Sequence, residues 1–137
     1  MLTRTLSERT AFEIVAVLVL VGVLVLSFLP PETVDPLRLK VGDSIDIGHV
    51  VAYAALAGAT LLSLPRQALT LGRGAAVVLS ISLLGIAIEL LQPMVGRTAS
   101  VVDFAENEIG IAGGIVLFWA YRRVGRAGNG GGRRGDE

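Results

Sequence analysis

The chain has 137 residues, 53% of them apolar and 18% charged, and its twelve basic and twelve acidic side chains cancel to a net charge of zero. A chain of this length ordinarily forms one soluble domain, but so large an apolar fraction points to a membrane. Neutrality argues against nucleic-acid binding, which normally brings a basic surplus, and the absence of cysteine excludes disulfides, thiol chemistry and cysteine metal sites.

A helix needs about 20 mostly apolar residues to cross the hydrocarbon core, and four stretches meet that need. The first, Ala11 to Leu29, is closed by Pro30 and Pro31 and carries Glu13 as its only charge. Its core is too long for a secretory signal and no small-x-small cleavage site precedes Pro30, so it reads as a retained helix. Glu32, Asp35 and Asp43 then mark a solvated loop. The second, Ile45 to Leu64, is apolar apart from Asp46 and His49 near its start. The third, Gly74 to Gln92, holds Glu89 close to its end, and Pro93 follows. The fourth, Val101 to Tyr121, is clean from Ile109 onward but carries Asp103, Glu106 and Glu108 in its first turns, which also fits an interfacial or re-entrant start. From Gly125 to Glu137 there are six glycines in 13 residues, a composition that buries no core and predicts disorder. The expected fold class is therefore all-α, an integral membrane bundle of four transmembrane helices over residues 1–124 with a disordered tail over 125–137. No repeat or second domain is visible.

Orientation follows from lysine and arginine, since positive segments tend to stay cytoplasmic. The N-terminal segment, the loop between the second and third spans and the C-terminal segment hold nine basic residues, against Arg38, Lys40 and Arg97 in the other two loops. Both termini are expected in the cytoplasm, as four spans require. The start of the second span, the end of the third and the start of the fourth then share the outer side, where nearly all the intramembrane polar residues lie.

Helical spacing puts these residues on single stripes. The second span reads Asp46, His49, Tyr53, Ala57, Thr60; the third, Gln92, Glu89, Gly85, Ser82; the fourth, Ser100, Asp103, Asn107, Gly110, Gly114. Gly110 and Gly114 form a GxxxG pair, which lets helix backbones approach closely. An ionised carboxylate at mid-membrane costs on the order of 2.5–3.5 kcal/mol, so such groups face partners or water. For Glu89 the expected neighbours are His49 and Arg97, with Asp46 and Asp103 adding acid. His49 beside Asp46 reads either as a proton relay or as a packing pair, and Tyr53 as a hydrogen-bonding lid. Arg97 either binds an anionic headgroup or pairs with Glu89 or Asp103. Asp103 and Asn107 either line a pocket or merely cap and pin the fourth helix. Metal binding would draw on Asp46, His49, Glu89 and Asp103, but no HxxxH or HExxH spacing is present, and neither a metal nor any other cofactor is expected. Ser100 has no catalytic signature around it, so no nucleophile is assigned.

Asp46-x-x-His49-x-x-x-Tyr53, then Glu89-x-x-Gln92, then Gly96-Arg97-x-x-Ser100-x-x-Asp103-x-x-x-Asn107-x-x-Gly110 resembles the VanZ-like integral membrane family over roughly residues 43 to 117. Glu106 and Glu108 depart from the pattern, in which small or apolar residues are commoner. The resemblance implies a multi-pass protein of the cytoplasmic membrane and, through the family's founding member, a link to teicoplanin resistance. The expected role is a polar pocket facing outward, non-enzymatic or of undetermined activity, built from Asp46, His49, Tyr53, Glu89, Gln92, Arg97, Ser100, Asp103 and Asn107. Its ligand would be an envelope precursor, a lipid headgroup or a glycopeptide. The expected partners are the bilayer, that ligand and, as an allowed case, further copies of the chain, with no nucleic acid. Two alternatives stand beside it: an intramembrane enzyme acting on a lipid-linked phosphate or ester, and a proton-coupled transporter subunit.

Overall fold

The computed structural model describes residues 2–38, 40–41 and 45–130, and it is all-α apart from one minimal strand pair. Helix α1 (Leu2–Phe28) stops at Pro30 and Pro31, where the ring removes a donor and blocks the preceding turn. A helical turn, α2 (Pro31–Val34), and a 3-10 turn (Asp35–Leu37) follow, with Val34 buried beneath them. Strands β1 (Lys40–Val41) and β2 (Ile45–Asp46) pair antiparallel, Lys40 opposite Asp46. Helix α3 (Ile47–Ser63) ends because Pro65 forces Leu64 into an extended conformation. Helix α4 (Leu71–Leu91) opens on Thr70, whose hydroxyl accepts from the Arg73 N–H, and passes into a 3-10 turn, Gln92–Val95. Gly96 closes that turn with φ of 78°, the left-handed region that favours glycine. Helix α5 runs Val101–Gly130.

The four long helices alternate in direction. Arg97, between α4 and α5, donates to the carbonyls of Leu26 and Ser27 at the C-terminal end of α1 (3.2 and 3.4 Å). At the opposite end, Arg122 of α5 donates to the Leu64 carbonyl beyond α3 (3.1 Å), and Phe12 of α1 meets Tyr121 edge-on. The end of α1, the start of α3, the end of α4 and the start of α5 thus lie together.

All four contribute to one core: Val23 from α1, Tyr53, Leu56 and Ala57 from α3, Ile81 and Ile88 from α4, Ile111 from α5. The outward faces are apolar too, with Ile14, Leu18 and Val25 on α1, Leu79, Leu83 and Leu90 on α4, and Val116 and Leu117 on α5 exposed. A soluble helix puts charge on that face. Ser7–Phe28 and Leu71–Val95, of 22 and 25 residues, are long and apolar enough to cross a membrane, and Ile47–Ser63 is a shorter apolar helix.

Helices α3 and α5 make the closest packing. A Cβ at Gly110 would lie 2.5 Å from the Val50 carbonyl oxygen, and one at Gly114 2.5 Å from that of Ala54 and 2.9 Å from the Gly58 nitrogen. These are backbone atoms that cannot swing aside. The GxxxG expectation therefore has a defined partner surface on α3.

Glu32 and Asp35 are exposed, as a solvated loop requires, while Asp43 lies outside the described residues; the segment also folds into turns and a strand pair that carry Arg38 to the helix ends. Of the tail from residue 125, the described part through Gly130 is helical, and residues 131–137 lie outside the described residues.

Replacing Gly114 by alanine should cost about 1–3 kcal/mol by overpacking. Gly22→Ala, with nothing within 4 Å of its added methyl group, should leave stability unchanged or slightly raised. Thermal unfolding of both variants in detergent checks the contrast.

Candidate functional site

The polar residues of three helices meet at the shared end, and each is placed by a helix-end rule. Asp46 caps α3: its Oδ1 accepts the Gly48 N–H at 2.9 Å. Ser100 caps α5, accepting the Asp103 N–H at 3.1 Å. Glu89, in the last turn of α4, reaches the same cap, and its Oε2 accepts the Ser100 N–H at 2.9 Å. A carboxylate there also complements the positive end of the α5 dipole.

Arg38 joins two of the helix starts. Its Nε donates to Asp46 Oδ2 at 2.8 Å and its Nη2 to Asp103 Oδ2 at 3.3 Å, with Asp35 more loosely placed at 3.7 Å. Beneath this pair, the backbone N–H of Asp46 donates to Glu106 Oε1 at 2.9 Å, a buried link from the start of α3 to α5. Burial works against the charge on Arg38, but the hydrogen bond to Asp46 and the nearby Asp103 carboxylate outweigh it and hold the guanidinium above its ordinary value. Asp46, in the strand ahead of α3, is also opposed by burial. The Arg38 and Gly48 hydrogen bonds prevail and bring its carboxyl below the ordinary range.

One turn into α3, His49 Nδ1 lies 3.0 Å from Asn107 Oδ1. Its Nε2 lies 3.9 Å from Asp103 Oδ2. One ligand-capable atom from each of His49, Glu89 and Asp103 lies within 4.8 Å of the others. Gly85 makes room below them: a Cβ there would sit 3.3 Å from both the Tyr53 hydroxyl and the Asn107 amide nitrogen. Among the described residues, several buried polar atoms have no hydrogen-bond partner: Glu89 Oε1, Glu106 Oε2, Glu108 Oε1 and both amide atoms of Gln92. Gln92 is fully buried.

The structure thus brings together Asp46, His49, Tyr53, Glu89, Ser100, Asp103 and Asn107, with Gln92 one turn from Glu89. Arg97 is within electrostatic reach of Glu89 but hydrogen-bonds elsewhere. Its hydrogen bonds go to the carbonyls at the end of α1, because those groups have no partner within their own helix. Three residues escaped the sequence reading. Arg38 counted only as a loop charge, yet it bridges Asp46 and Asp103. Glu106 and Glu108 stood as departures from a pattern, yet Glu106 is buried against Asp46, and Glu108 accepts from Ser82 of α4 at 3.1 Å. Glu106 was within reach of the periodicity, three residues after Asp103 and four before Gly110 on the same stripe. No protein-family model, curated protein or solved structure matches the chain.

Removing the Arg38 guanidinium (Arg38→Met) leaves two largely buried carboxylates short of a donor and should cost about 1–3 kcal/mol at neutral pH. Because the folded Asp46 carboxyl titrates below its ordinary value, its stabilisation is present above about pH 4 and is lost as pH falls through the lowered value. Wild type should therefore lose thermal stability below about pH 4 more steeply than Arg38→Met. Unfolding midpoints over that range check both statements.

Proposed function

We propose that the chain is a polytopic membrane protein of the VanZ-like type, with four helices crossing the cytoplasmic membrane and both termini inside. In this reading the polar cluster lies at the outer boundary and receives the amide- and hydroxyl-bearing part of an envelope precursor or glycopeptide. The observation that carries it is Gln92, fully buried with both amide atoms unpaired beside an acidic cluster. Leaving such groups unsatisfied costs about 1–3 kcal/mol, so their retention calls for an explanation beyond packing. A carboxamide presents a donor and an acceptor together, which suits a peptide group or a paired hydroxyl. The charge distribution supports the orientation, since most lysines and arginines belong to segments at the opposite end.

Gln92→Leu separates function from folding. An apolar side chain of similar shape should hold or raise the thermal midpoint, since it removes the unpaired atoms. Expression of the wild-type chain in a glycopeptide-susceptible host should raise teicoplanin tolerance, and Gln92→Leu and His49→Ala at matched expression should return it to the vector level. Tolerance unchanged by either substitution rejects the pocket.

Orientation has its own test. Met94 and Leu71 are 81% and 92% exposed at opposite ends of α4 and its following turn, and the chain has no native cysteine. An impermeant thiol reagent applied to whole cells should label Met94→Cys and spare Leu71→Cys. The reverse pattern overturns the topology.

A further inference from the structure

We propose that His49, Glu89 and Asp103 form a binding site for a first-row divalent cation of the zinc or manganese kind. Each residue comes from a different helix, and one ligand-capable atom of each lies within 4.8 Å of the others. Hydrogen bonding leaves these atoms with lone pairs to offer. Asn107 Oδ1 can only accept, so its 3.0 Å contact places a proton on His49 Nδ1 and makes Nε2 the nitrogen that would face a cation. Nε2 lies 3.9 Å from Asp103 Oδ2, where it pairs with the carboxylate when protonated and offers a lone pair beside it when not. Glu89 places Oε2 on the Ser100 N–H, while Oε1, on a side chain more than nine-tenths buried, has no partner at all.

A buried acceptor without a donor, beside two other acceptors, is the arrangement a cation resolves. Zinc takes oxygen and nitrogen ligands at about 2.0–2.2 Å, which sets neighbouring ligand atoms about 3–3.6 Å apart, so closure by about 1 Å completes the site. One imidazole and two carboxylates carry the charge that matches a dication and the mixed donor set that zinc and manganese accept. Asn107 orients the imidazole as an outer partner of a metal ligand does, and Arg38 donates at 3.3 Å to the same Asp103 oxygen that faces His49, so Asp103 would meet the cation with a remaining lone pair of Oδ2 or with Oδ1. Three protein ligands leave a coordination position open for water or a ligand oxygen. The site goes beyond the headgroup reading and does not depend on it, because water suffices to complete the coordination.

The test uses full-length protein in detergent, carrying no polyhistidine tag and no added lipid ligand, titrated with zinc chloride by calorimetry at neutral pH. One equivalent should bind per chain, and His49→Ala and the isosteric Glu89→Gln should each weaken binding at least tenfold while eluting as folded protein. His49 is the only histidine, so imidazole nitrogen resonances report on it without ambiguity, and they remain informative should a variant fail to fold. Saturating zinc should move Nε2 and leave Nδ1 protonated. No stoichiometric binding, equal binding by the folded variants, or an unmoved Nε2 resonance overturns the site. Binding that survives while glycopeptide tolerance is unaffected rejects the headgroup reading alone.

Discussion

The approach of α5 to α3 through Gly110 and Gly114 sets the register for everything else. With no side chain at either position, the α5 backbone comes within van der Waals reach of the Val50 and Ala54 carbonyls and the Gly58 nitrogen. Dispersion across so close a contact favours association even where surrounding lipid is as apolar as the helices. Once that seam is fixed, the residues one and two turns earlier on α5 have no freedom in what they face. Asn107 falls opposite His49 and Glu106 opposite the Asp46 backbone. A slip of one helical turn would leave Asp46 N–H, Glu106 and Asn107 buried without these partners, a cost of several kcal/mol. The apolar seam thereby specifies the polar one.

Helix α4 joins this pair through its ends and its gaps. Gly85 gives space to the Tyr53 hydroxyl and the Asn107 amide, Glu89 caps α5, and Ser82 donates to Glu108. Helix α1 is held differently, by Val23 and its neighbours in the core and by Arg97 across its terminal carbonyls. The turn at Gly96 makes the second contact feasible, because it redirects the chain immediately before Arg97.

What was legible in the sequence was periodic. The three- and four-residue spacing of Asp46, His49 and Tyr53, of Glu89 and Gln92, and of Ser100, Asp103 and Asn107 placed each set on one helix face, and the structure brings those faces together. Gly110 and Gly114 were legible for the same reason. Arg38 was not, since its position depends on how a turn and a two-residue strand pair fold back, and no helical period governs that segment. Arg97 was legible as a neighbour of Glu89, with which it interacts electrostatically; its hydrogen bonds to the carbonyls ending α1 were not, because sequence does not display which helix end lies beside it. The HxxxH and HExxH spacings detect ligands contributed by one helix, so their absence does not bear on the proposed cation site, whose residues His49, Glu89 and Asp103 come from three.

Among the described residues, the charges at this end leave a physical demand that hydrogen bonds alone do not meet. Asp46, Asp103, Glu89 and Glu106 lie within one hydrogen-bonded network with a single guanidinium, that of Arg38, while the hydrogen bonds of Arg97 are directed to α1. Carboxylates in a low-dielectric surrounding are stable only when paired, protonated or bound to a cation. Arg38 satisfies the outer pair, and the backbone N–H groups of Asp46 and Ser100 each supply one donor to Glu106 and Glu89. That leaves Glu89 Oε1 and Glu106 Oε2 unpartnered. Of the two, only Glu89 has an imidazole nitrogen and a second carboxylate within coordinating reach. The proposed cation answers the demand at Glu89, where three helices supply the ligands, and has no counterpart at Glu106.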